Sequence, residues 1–567
     1  MRSNESYTSR RSAVVSLGGM AATSQPTATQ AAVDILARGG SAADAAVAAA
    51  AVLQVTQPCS TGLGGDAFCL YYEAATRRVY ALNGSGRAPE SLSIARLRAQ
   101  GLGGELPRFH AHTVTVPGAP AAWQDLLERF GRLPREALLA TAIRLAEEGF
   151  PVAPMTSLWW GSGAEKQLAH TAFGHELTIA GRAPRAGERF RNPGLAGVLR
   201  AFVESGAQPF YTGAVAERIV AAVRSAGGCM EMTDLAAHRS EWVEPVSVRY
   251  RDVEVWECPP NSQGIAALLA LNSLNHIEAG DGLDDPFMHC MVEAMRLGFA
   301  DAAYCVADTA EVDIPLSDLL SNEYGRRRAA LIDPSRASEV VEAGEIARGL
   351  YPHRTRSAEP LPVGDDTVYL AVTDRQGNGC SFINSNFMGF GTGIVPEGCG
   401  FSLQNRGYGF SLDPDHPNAL RPGRRPYHTI IPGLVTTQDR ARLHSVIGVM
   451  GGMMQPQGHL QVVSSLVDAD VDPQAALDRP RFQLDNGQPN AMVLVEETEG
   501  SRLAAALSAR GHRTKEIAGR DRYQFGLGQI IRKTTDGCIA GSDGRGDGCA
   551  LSDDIAPNAE SIHRKEL

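Results

Sequence analysis

The segment "GDDTVYLAVTDRQGNGCSF" (residues 364–382) decides the fold, because it predicts a buried β-hairpin that begins abruptly at a threonine. Side chains alternate with a period of two over residues 368–373, as expected of a strand. Residues 376–378 supply a turn, after which a second strand leaves. By contrast, residues 337–366 are polar, charged and interrupted by prolines, without an amphipathic period. An exposed loop is therefore predicted to end directly at Thr367, the head of a central strand.

The overall composition is that of an ordinary globular protein. The 567 residues, 43% of them hydrophobic, suffice for one large domain or for two or three smaller ones. A net charge of −11 and a pI near 5.7 count against a nucleic-acid binder or a protein of anionic membrane surfaces. No apolar run reaches the length of about 18 residues that a membrane span needs. The sequence thus predicts neither nucleic acid nor membrane as a partner.

The N-terminal residues and the cysteines bear on location. Residues 1–18 are predicted to form a disordered tail, without the hydrophobic core of a secretory signal. A short targeting arm is the alternative, since Arg and Ser dominate there. The ten cysteines are scattered and show no zinc-ligand spacing. We therefore expect reduced thiols, no metal and a cytoplasmic protein.

The coarse pattern of elements predicts an α+β fold. Residues 24–57 predict two helices broken by a Gly-Gly pair, and Ser41 with Asp44 forms a capping box for the second helix. Residues 62–85 predict a hairpin with a glycine-rich first turn, and residues 367–450 are rich in strands. Strands grouped in this way, with helices outside them, favour sheets layered between helices.

Three other catalytic patterns fit the sequence poorly. "NGSG" at 83–86 departs from the G-x-S-x-G elbow of the α/β-hydrolases. "GLGGD" at 62–66 is too short for a phosphate loop, so a tight turn is expected. His110 and His112 could open a metal site, but no further ligands recur at a suitable spacing. These two histidines are expected to be solvated residues near the start of a strand.

A threonine nucleophile remains. The hydroxyl of an N-terminal threonine becomes a good nucleophile when the free α-amine of the same residue serves as its base. Such a terminus arises only if the chain is cut just before the threonine, and the junction of Asp366 and Thr367 offers this arrangement. Taken alone, the pattern fits an ordinary strand start equally well, because threonine is common in strands.

Several longer blocks carry a family resemblance. They are "TATQAAVDILARGGSAADAAVAAAAVLQVTQP" (27–58), "TGLGGDAFCL" (61–70), "SNFMGFGTGIVPEGCGFSLQNR" (385–406), "RPGRRPYHTIIPG" (421–433) and "VIGVMGGMMQPQGHLQ" (446–461). With these blocks in this order, the chain resembles the gamma-glutamyltransferase family, the gamma-glutamyl transpeptidases, from about Gly19 to Ser552. The resemblance implies a self-processing N-terminal-nucleophile hydrolase with a four-layer αββα sandwich.

The resemblance implies the cleavage site and the subunits. Thr367 falls on the family's nucleophile, so cleavage is expected between Asp366 and Thr367. A large subunit of residues 19–366 and a small one of residues 367–567 would then stay associated as one catalytic domain. A single heterodimer and a dimer of heterodimers are both left open.

The resemblance also assigns the remaining reaction machinery. Ser385 falls on the family's hydroxyl residue that hydrogen-bonds the nucleophile. Gly451 and Gly452 fall on the pair whose backbone N–H groups form the oxyanion hole. This machinery needs no cofactor and no metal.

The substrate-binding positions depart from the family pattern. Ser85 stands where the family has an arginine for the substrate α-carboxylate, and Arg87 follows two residues later. Gly409 replaces the aspartate that binds the glutamyl α-amine, and Phe387 replaces an asparagine. A substrate with a carboxylate and no amine is therefore expected. The predicted substrate-binding residues are Arg87, Asn386, Arg406, Tyr427, and His428 with Thr429, the last two in place of a family Ser-Ser pair.

These departures predict an amidohydrolase that cleaves a small acid amide, such as oxamate, or an acyl amide through an acyl-enzyme. They resemble a side branch of the family that includes oxamate amidohydrolase and acylases. A true glutathione hydrolase or gamma-glutamyl transpeptidase is one alternative. An unprocessed, non-catalytic binding protein is the alternative from another class.

Overall fold

The computed structural model describes residues 11–280, 285–351, 366–498 and 502–555. In these ranges the strands are β1 Val14–Ser16, β2 Met20–Thr23, β3 Asp66–Glu73, β4 Arg78–Gly84, β5 Phe150–Pro151, β6 Arg189–Phe190, β7 Glu241–Val243, β8 Val246–Tyr250, β9 Val253–Glu257, β10 Asp366–Thr373, β11 Gly379–Phe387, β12 Gly433–Thr437, β13 Leu443–Met450, β14 Phe482–Leu484, β15 Val493–Glu496, β16 Thr514–Ile517, β17 Leu527–Lys533, β18 Cys538–Ser542 and β19 Cys549–Ser552.

The helices of the same ranges are α1 Pro26–Ala37, α2 Ala42–Thr56, α3 Ile94–Ala99, α4 Ala119–Phe130, α5 Arg135–Glu148, α6 Pro154–Lys166, α7 Pro193–Ser205, α8 Gln208–Tyr211, α9 Ala214–Ser225, α10 Met232–Ala236, α11 Gly264–Leu274, α12 Asp285–Cys305, α13 Leu316–Leu319, α14 Asn322–Ala329, α15 Glu345–Gly349, α16 Met454–Val467, α17 Pro473–Asp478 and α18 Leu503–Ala509.

Two seven-stranded sheets form the centre of the molecule. Sheet I has the order β19-β2-β10-β11-β3-β4-β7, and sheet II has the order β1-β18-β17-β13-β12-β9-β8. All pairings within these two sheets are antiparallel. Strand β10, which carries Thr367, lies inside sheet I between β2 and β11. The central position predicted for this strand is confirmed.

Strand β10 shows how the layers stack. Its side chains Val368 and Leu370 pack into the core that sheet I shares with α1 and α2. Tyr369 points the other way, into the core between the two sheets, where it meets residues of sheet II such as Val446. The far face of sheet II forms a third core with α11, α12 and α16. Two sheets between two helical layers make the predicted αββα sandwich, and the α+β class is confirmed.

The first two helices follow the prediction closely. Ser41 caps α2: its Oγ accepts from the Asp44 N–H at 3.1 Å, while the Asp44 carboxylate accepts from the Ser41 N–H at 2.9 Å. Every residue of α2 is buried, as expected of a helix that is apolar on all sides. The many alanines of α2 explain why it can be buried completely, because their small side chains let the helix pack closely between sheet I and the outer helices.

Two sequence expectations need correction. The sequence predicts a disordered tail up to residue 18, but β1 pairs with β18 and the Arg11 guanidinium donates to the carbonyl of Asp543 at 2.9 Å. Only residues 1–10 of that tail lie outside the described residues. His112 is buried rather than solvated, in a 3₁₀ turn rather than a strand, and its ring nitrogen bonds to the Gln100 amide oxygen at 2.7 Å.

Three further observations concern the remaining sequence predictions. Within the loop expected at residues 337–366, residues 352–365 lie outside the described residues, whereas residues 345–349 form α15. The ten cysteines all lie in described ranges, and none is joined in a disulfide. Within those ranges no helix has both the length and the apolar character that a bilayer crossing requires.

Candidate active site

Thr367 lies at an irregularity of sheet I. Asp366 is opposite Phe387 and Val368 is opposite Asn384, so one residue of β10 faces two residues of β11 at this point. A bulge of this kind interrupts the regular ladder and redirects a side chain. Thr367 is 1% exposed, and its Oγ1 donates a hydrogen bond to Ser385 Oγ at 3.1 Å. The structure therefore brings the predicted nucleophile and its predicted hydroxyl partner together.

The Ser385 hydroxyl oxygen also accepts two N–H groups. The backbone N–H of Phe387 donates to it at 2.8 Å, and Arg406 Nη2 donates at 3.3 Å. Phe387 has a φ of +82°, a strained conformation for a bulky side chain. The bond to Ser385 and a cation–π contact of 4.1 Å between the Phe387 ring and the Arg406 guanidinium hold this conformation. Ser385 is thus fixed from two sides as it contacts Thr367.

Arg406 is a buried cation with hydroxyl groups as its ligands. It is fully buried, and its Nη1 donates to Thr429 Oγ1 at 2.8 Å in addition to the bond to Ser385. Among the described residues no carboxylate comes within 4.0 Å of it, and its Nε has no acceptor. Burial lowers the pKa of Arg406 to about 9, although Asp66 acts in the opposite direction. Such a guanidinium is suited to receive a carboxylate from a ligand.

Asp66 completes this network and was missed in the sequence. Its Oδ2 bonds to His428 Nε2 at 2.9 Å, and both side chains are fully buried. The Ile430 N–H donates to His428 Nδ1 at 3.4 Å, so Nε2 carries the ring proton and donates it to Asp66. Burial raises the pKa of Asp66 to about 7 against the opposing effect of Arg406. Burial and the nearby Arg406 hold the pKa of His428 well below its usual value.

The glycines of "GLGGD" explain why Asp66 was overlooked. The Gly65 N–H donates to the Gly62 carbonyl at 2.9 Å, so the predicted tight turn is confirmed. A Cβ on Gly65 would lie 2.3 Å from the Ser385 carbonyl oxygen. The turn is therefore also a close approach of the chain to β11, and it delivers Asp66 to the site. A glycine-rich turn that ends in a lone acidic residue was the available signal.

Gly451 and Gly452 connect β13 to α16. Both have positive φ, +129° and +55°, which favours glycine. Their carbonyls accept from the N–H groups of Met454 and Gln455, whereas in the described part of the chain neither glycine N–H has an acceptor. Gln263 Nε2 donates to the carbonyls of Gly452 and Thr429, which ties the glycines to the Arg406 network. Two N–H groups at the start of a helix can stabilise an oxyanion, and this role stays a prediction.

Arg87 lies apart from the network around Thr367. Its guanidinium donates to Glu241 at 3.0 Å and to Asp308 at 3.2 Å, and a third of the side chain is exposed. Two carboxylates within the chain already balance its charge. The role of Arg87 as a carboxylate ligand stays a prediction, and its ion pairs favour a structural role.

The other predicted substrate-binding residues are buried near the network. The Tyr427 hydroxyl donates to Gln263, the residue that also holds Gly452. Asn386 donates through Nδ2 to Ser402 at 3.3 Å, and no group in the described ranges donates to its Oδ1. Gly409 ends a 3₁₀ turn that starts at Arg406. Ser85 is fully buried and donates its hydroxyl to Asn83.

This geometry defines a class of protein. A threonine at the head of a strand in an αββα sandwich, with a fixed hydroxyl partner and two available backbone N–H groups, is the arrangement of an N-terminal-nucleophile amide hydrolase. The family described as "Gamma-glutamyltranspeptidase" matches residues 28–552. The chain belongs to this family, and it is an amide hydrolase of the N-terminal-nucleophile class.

Individual relatives cover nearly the whole chain. "Glutathione hydrolase-like YwrD proenzyme" of Bacillus subtilis (strain 168) is 36% identical over 92% of this chain and 96% of its own length. "Oxamate amidohydrolase proenzyme" of Klebsiella pneumoniae is 33% identical over 94% of this chain and 98% of its own. The crystal structure of a cephalosporin acylase from Bacillus halodurans superimposes with a TM-score of 0.88 and 42% identity, covering 96% of this chain and 98% of that one.

Proposed function

We propose that the chain is a precursor that cuts itself between Asp366 and Thr367, and that the new N-terminal threonine hydrolyses the amide of a small acid without an α-amine. The observation that carries this proposal is the hydrogen bond from Thr367 Oγ1 to Ser385, next to a buried Arg406 that pairs with no carboxylate among the described residues. The names of the relatives, several of them proenzymes, agree with such processing.

Processing requires only groups of the chain and one water molecule. The Thr367 hydroxyl adds to the Asp366 carbonyl, and the C–N bond breaks as the threonine nitrogen takes the proton. Water then hydrolyses the resulting ester, which leaves a free carboxyl on Asp366 and a free α-amine on Thr367. The bulge at this position leaves the scissile peptide outside the regular ladder. The two products stay joined as subunits because β10 pairs with β2 and β11 pairs with β3, and both of these partner strands belong to the large subunit.

Turnover uses the same hydroxyl group. The α-amine of Thr367 takes the hydroxyl proton as the oxygen attacks the amide carbon, and the same proton passes to the leaving amine. The N–H groups of Gly451 and Gly452 stabilise the oxyanion, and each such donor contributes about 3 kcal/mol in comparable enzymes. Water then attacks the ester, which releases the acid and restores Thr367.

The charges around Thr367 favour an acid without an amine. Arg406 supplies a cation for the substrate carboxylate, and Gly409 supplies no counter-charge for an ammonium group. Burying an ammonium without a partner costs several kcal/mol, by a rough estimate. The second candidate is a glutathione hydrolase, which is favoured by the Asn386 Oδ1 atom: it is a buried acceptor to which none of the described residues donates, and it suits an ammonium group.

The test compares two anilides that differ only in the amine. The purified protein is first resolved on a gel, and the smaller band is sequenced; its expected start is Thr-Val-Tyr-Leu. Gamma-glutamyl-p-nitroanilide and its amine-free counterpart glutaryl-p-nitroanilide are then assayed, with ammonia release from oxamate in parallel. A higher kcat/KM for the amine-free substrates supports the proposal. Preference for the gamma-glutamyl anilide selects the second candidate, and one intact, inactive band contradicts both.

A further inference from the structure

The buried charges beside Thr367 exceed what the proposed reaction uses. The reaction assigns a role to Arg406 and none to Asp66 or His428, although all three are fully buried. Ionisable groups are expensive to bury, and they are retained where a partner or a function compensates the cost. These three residues are called the Asp66 cluster below.

Asp66 is held as an acceptor by four donors. The N–H groups of Gly86 and Gly118, each at 3.1 Å, and the Gln404 amide at 3.0 Å bond to Oδ1, and His428 bonds to Oδ2. This cage fixes the carboxyl group rigidly. It also links Asp66 to Arg406 along two routes, since Gln404 precedes Arg406 by two residues and His428 adjoins Thr429, the Arg406 ligand.

The charges of the cluster balance only while the site is empty of an anion. Arg406 contributes one positive charge, Asp66 one negative charge, and His428 is neutral because burial and Arg406 disfavour its protonation. The other groups that act on this pair are Arg425, which also opposes protonation of His428, and the neutral phenol of Tyr211 near Asp66. A substrate carboxylate on Arg406 would therefore leave one excess negative charge in a fully buried place.

We propose that binding of a substrate carboxylate to Arg406 is coupled to the uptake of one proton by the Asp66–His428 pair. A proton from solvent binds His428 Nδ1, which gives up its 3.4 Å contact with the Ile430 N–H, while the Nε2 proton passes to Asp66 Oδ2 and Nε2 becomes the acceptor. Both changes reverse, and one proton returns to solvent, when the acid product leaves. Asp66 acts through Arg406 and is a positioning residue, and it sets the pH range in which the enzyme accepts anionic acyl groups. This inference rests on the proposed function.

The titration of Asp66 agrees with this role. Burial already raises the pKa of Asp66 to about 7 in the absence of a substrate. A second carboxylate nearby raises the pKa of such a group further, because two like charges in one site cannot both be ionised cheaply. The proton would thus be taken up under near-neutral conditions.

The experiment measures KM against pH for a matched pair of substrates. Glutaryl-p-nitroanilide carries a carboxylate, whereas pentanoyl-p-nitroanilide has the same chain length and no charge. The α-amine of Thr367 titrates with both substrates. The KM for glutaryl-p-nitroanilide divided by the KM for pentanoyl-p-nitroanilide therefore reports only the effect of the substrate carboxylate. In the wild-type enzyme this ratio is expected to rise by up to about tenfold per pH unit above the pKa of the pair, since one proton is bound with each anion.

Two variants sharpen the result. Asp66→Asn mimics the protonated carboxyl group, so the ratio should become independent of pH and remain at the low value that the wild type shows in acid. Asp301→Asn is the matched control: Asp301 is also a buried carboxylate next to an arginine, Arg328 at 3.1 Å, but it lies outside the cluster. This control should retain the wild-type pH dependence of the ratio.

Each outcome decides between the proposals. A wild-type KM ratio that does not change with pH overturns the inference, even if Asp66→Asn fails to fold. An Asp66→Asn enzyme with the wild-type slope overturns it as well. Turnover of both anilides with a constant ratio leaves the proposed function standing, whereas turnover of neither overturns the proposed function together with the inference.

Discussion

Two of the regions that bury arginines compensate the charge in different ways. In the first, Arg481 and Arg545 contact Asp543 at 2.8 and 3.0 Å, and Arg545 also meets Glu496. Burial alone would raise the pKa of Asp543, but the two arginines lower it to about 2. In the second region, around Thr367, the buried Arg406 has two hydroxyl ligands and a reduced pKa of about 9.

The difference separates a cluster with a structural role from the region to which we assign a functional one. The Asp543 cluster consists of Arg481, Arg545, Asp543 and Glu496. Each of its arginines pairs with a carboxylate of the chain, so no guanidinium charge remains for a ligand, and the ion pairs hold loops around sheet II. Around Thr367, by contrast, the carboxylate that balances the charge of Arg406, Asp66, makes no direct ion pair with it, so the guanidinium can still accept a ligand carboxylate when the Asp66–His428 pair takes up a proton. The missing direct ion pair at Arg406, beside Thr367, is therefore the feature that supports the proposed carboxylate site.

Removing the nucleophile breaks the functional region outright. Thr367→Ala deletes the one oxygen that we propose both cleaves the precursor and attacks the substrate, so the chain should stay in one piece and kcat should fall by at least about four orders of magnitude. A gel and an anilide assay measure the two effects. Thr367→Ser keeps a hydroxyl and is the control; it should still be processed. Processing of the alanine variant would contradict the nucleophile assignment.

Breaking the structural region should cost stability instead of activity. Asp543→Asn leaves Arg481 and Arg545 short of one counter-charge, and loss of a buried partner costs about 3–5 kcal/mol of the free energy of unfolding. Urea unfolding measures this in the Thr367→Ala background, where the chain is expected to remain continuous. Asp470→Asn is the control, since Asp470 is 88% exposed in its bridge to Arg532 and should matter much less. Equal effects of the two variants would refute this view of the cluster.

Replacing Arg406 tests its role as the carboxylate ligand. Arg406→Leu should raise the KM for glutaryl-p-nitroanilide by about thirtyfold, equivalent to about 2 kcal/mol for a charge-assisted bond, with a smaller change in kcat. Arg87→Leu should change the KM little, because Glu241 and Asp308 already pair with Arg87. N-terminal sequencing verifies that both variants are processed. A larger effect at Arg87 would return the carboxylate site to that residue.

The two regions should also respond to acid with opposite signs. The pKa of Asp543 lies below the ordinary 3.8, so its contribution to stability is present above that value and is lost as the pH falls towards about 2. The pKa of Asp66 lies above 3.8, at about 7, so the folded chain binds a proton that the unfolded chain does not, and stability from this group increases as the pH falls from about 7 to about 4.

Variants isolate these two contributions from the other titrating groups. The difference in unfolding free energy between Asp66→Asn and its parent should change by at most about 1.4 kcal/mol per pH unit between about pH 7 and about pH 4. The corresponding difference for Asp543→Asn should change by at most the same amount per pH unit as the pH falls from about 4 towards about 2. Urea unfolding of the Thr367→Ala precursor at several pH values gives both differences. If both free-energy differences changed in the same direction as the pH falls, the two regions would not differ in their response to acid.

Local patterns of the sequence were sufficient for much of the fold. The period of two in β10, the capping box of α2 and the blocks that carry the family resemblance depend on near neighbours in the chain, and the structure and the relatives confirm them. The same blocks led to Thr367 and Ser385, which the structure brings into contact. The subunit boundary at residue 366 stays a prediction.

Only the tertiary structure distinguished Arg406 from Arg87 and revealed Asp66. The local sequence does not distinguish the two arginines as carboxylate ligands. They differ because Arg87 pairs with Glu241 and Asp308, two carboxylates that lie far from it along the chain. Asp66 meets His428 across 362 positions, and its glycine turn alone has the signature of an ordinary loop. Charge compensation in a buried site depends on distance in space and on desolvation, and neither quantity is encoded in the local pattern of residues from which sequence reasoning proceeds.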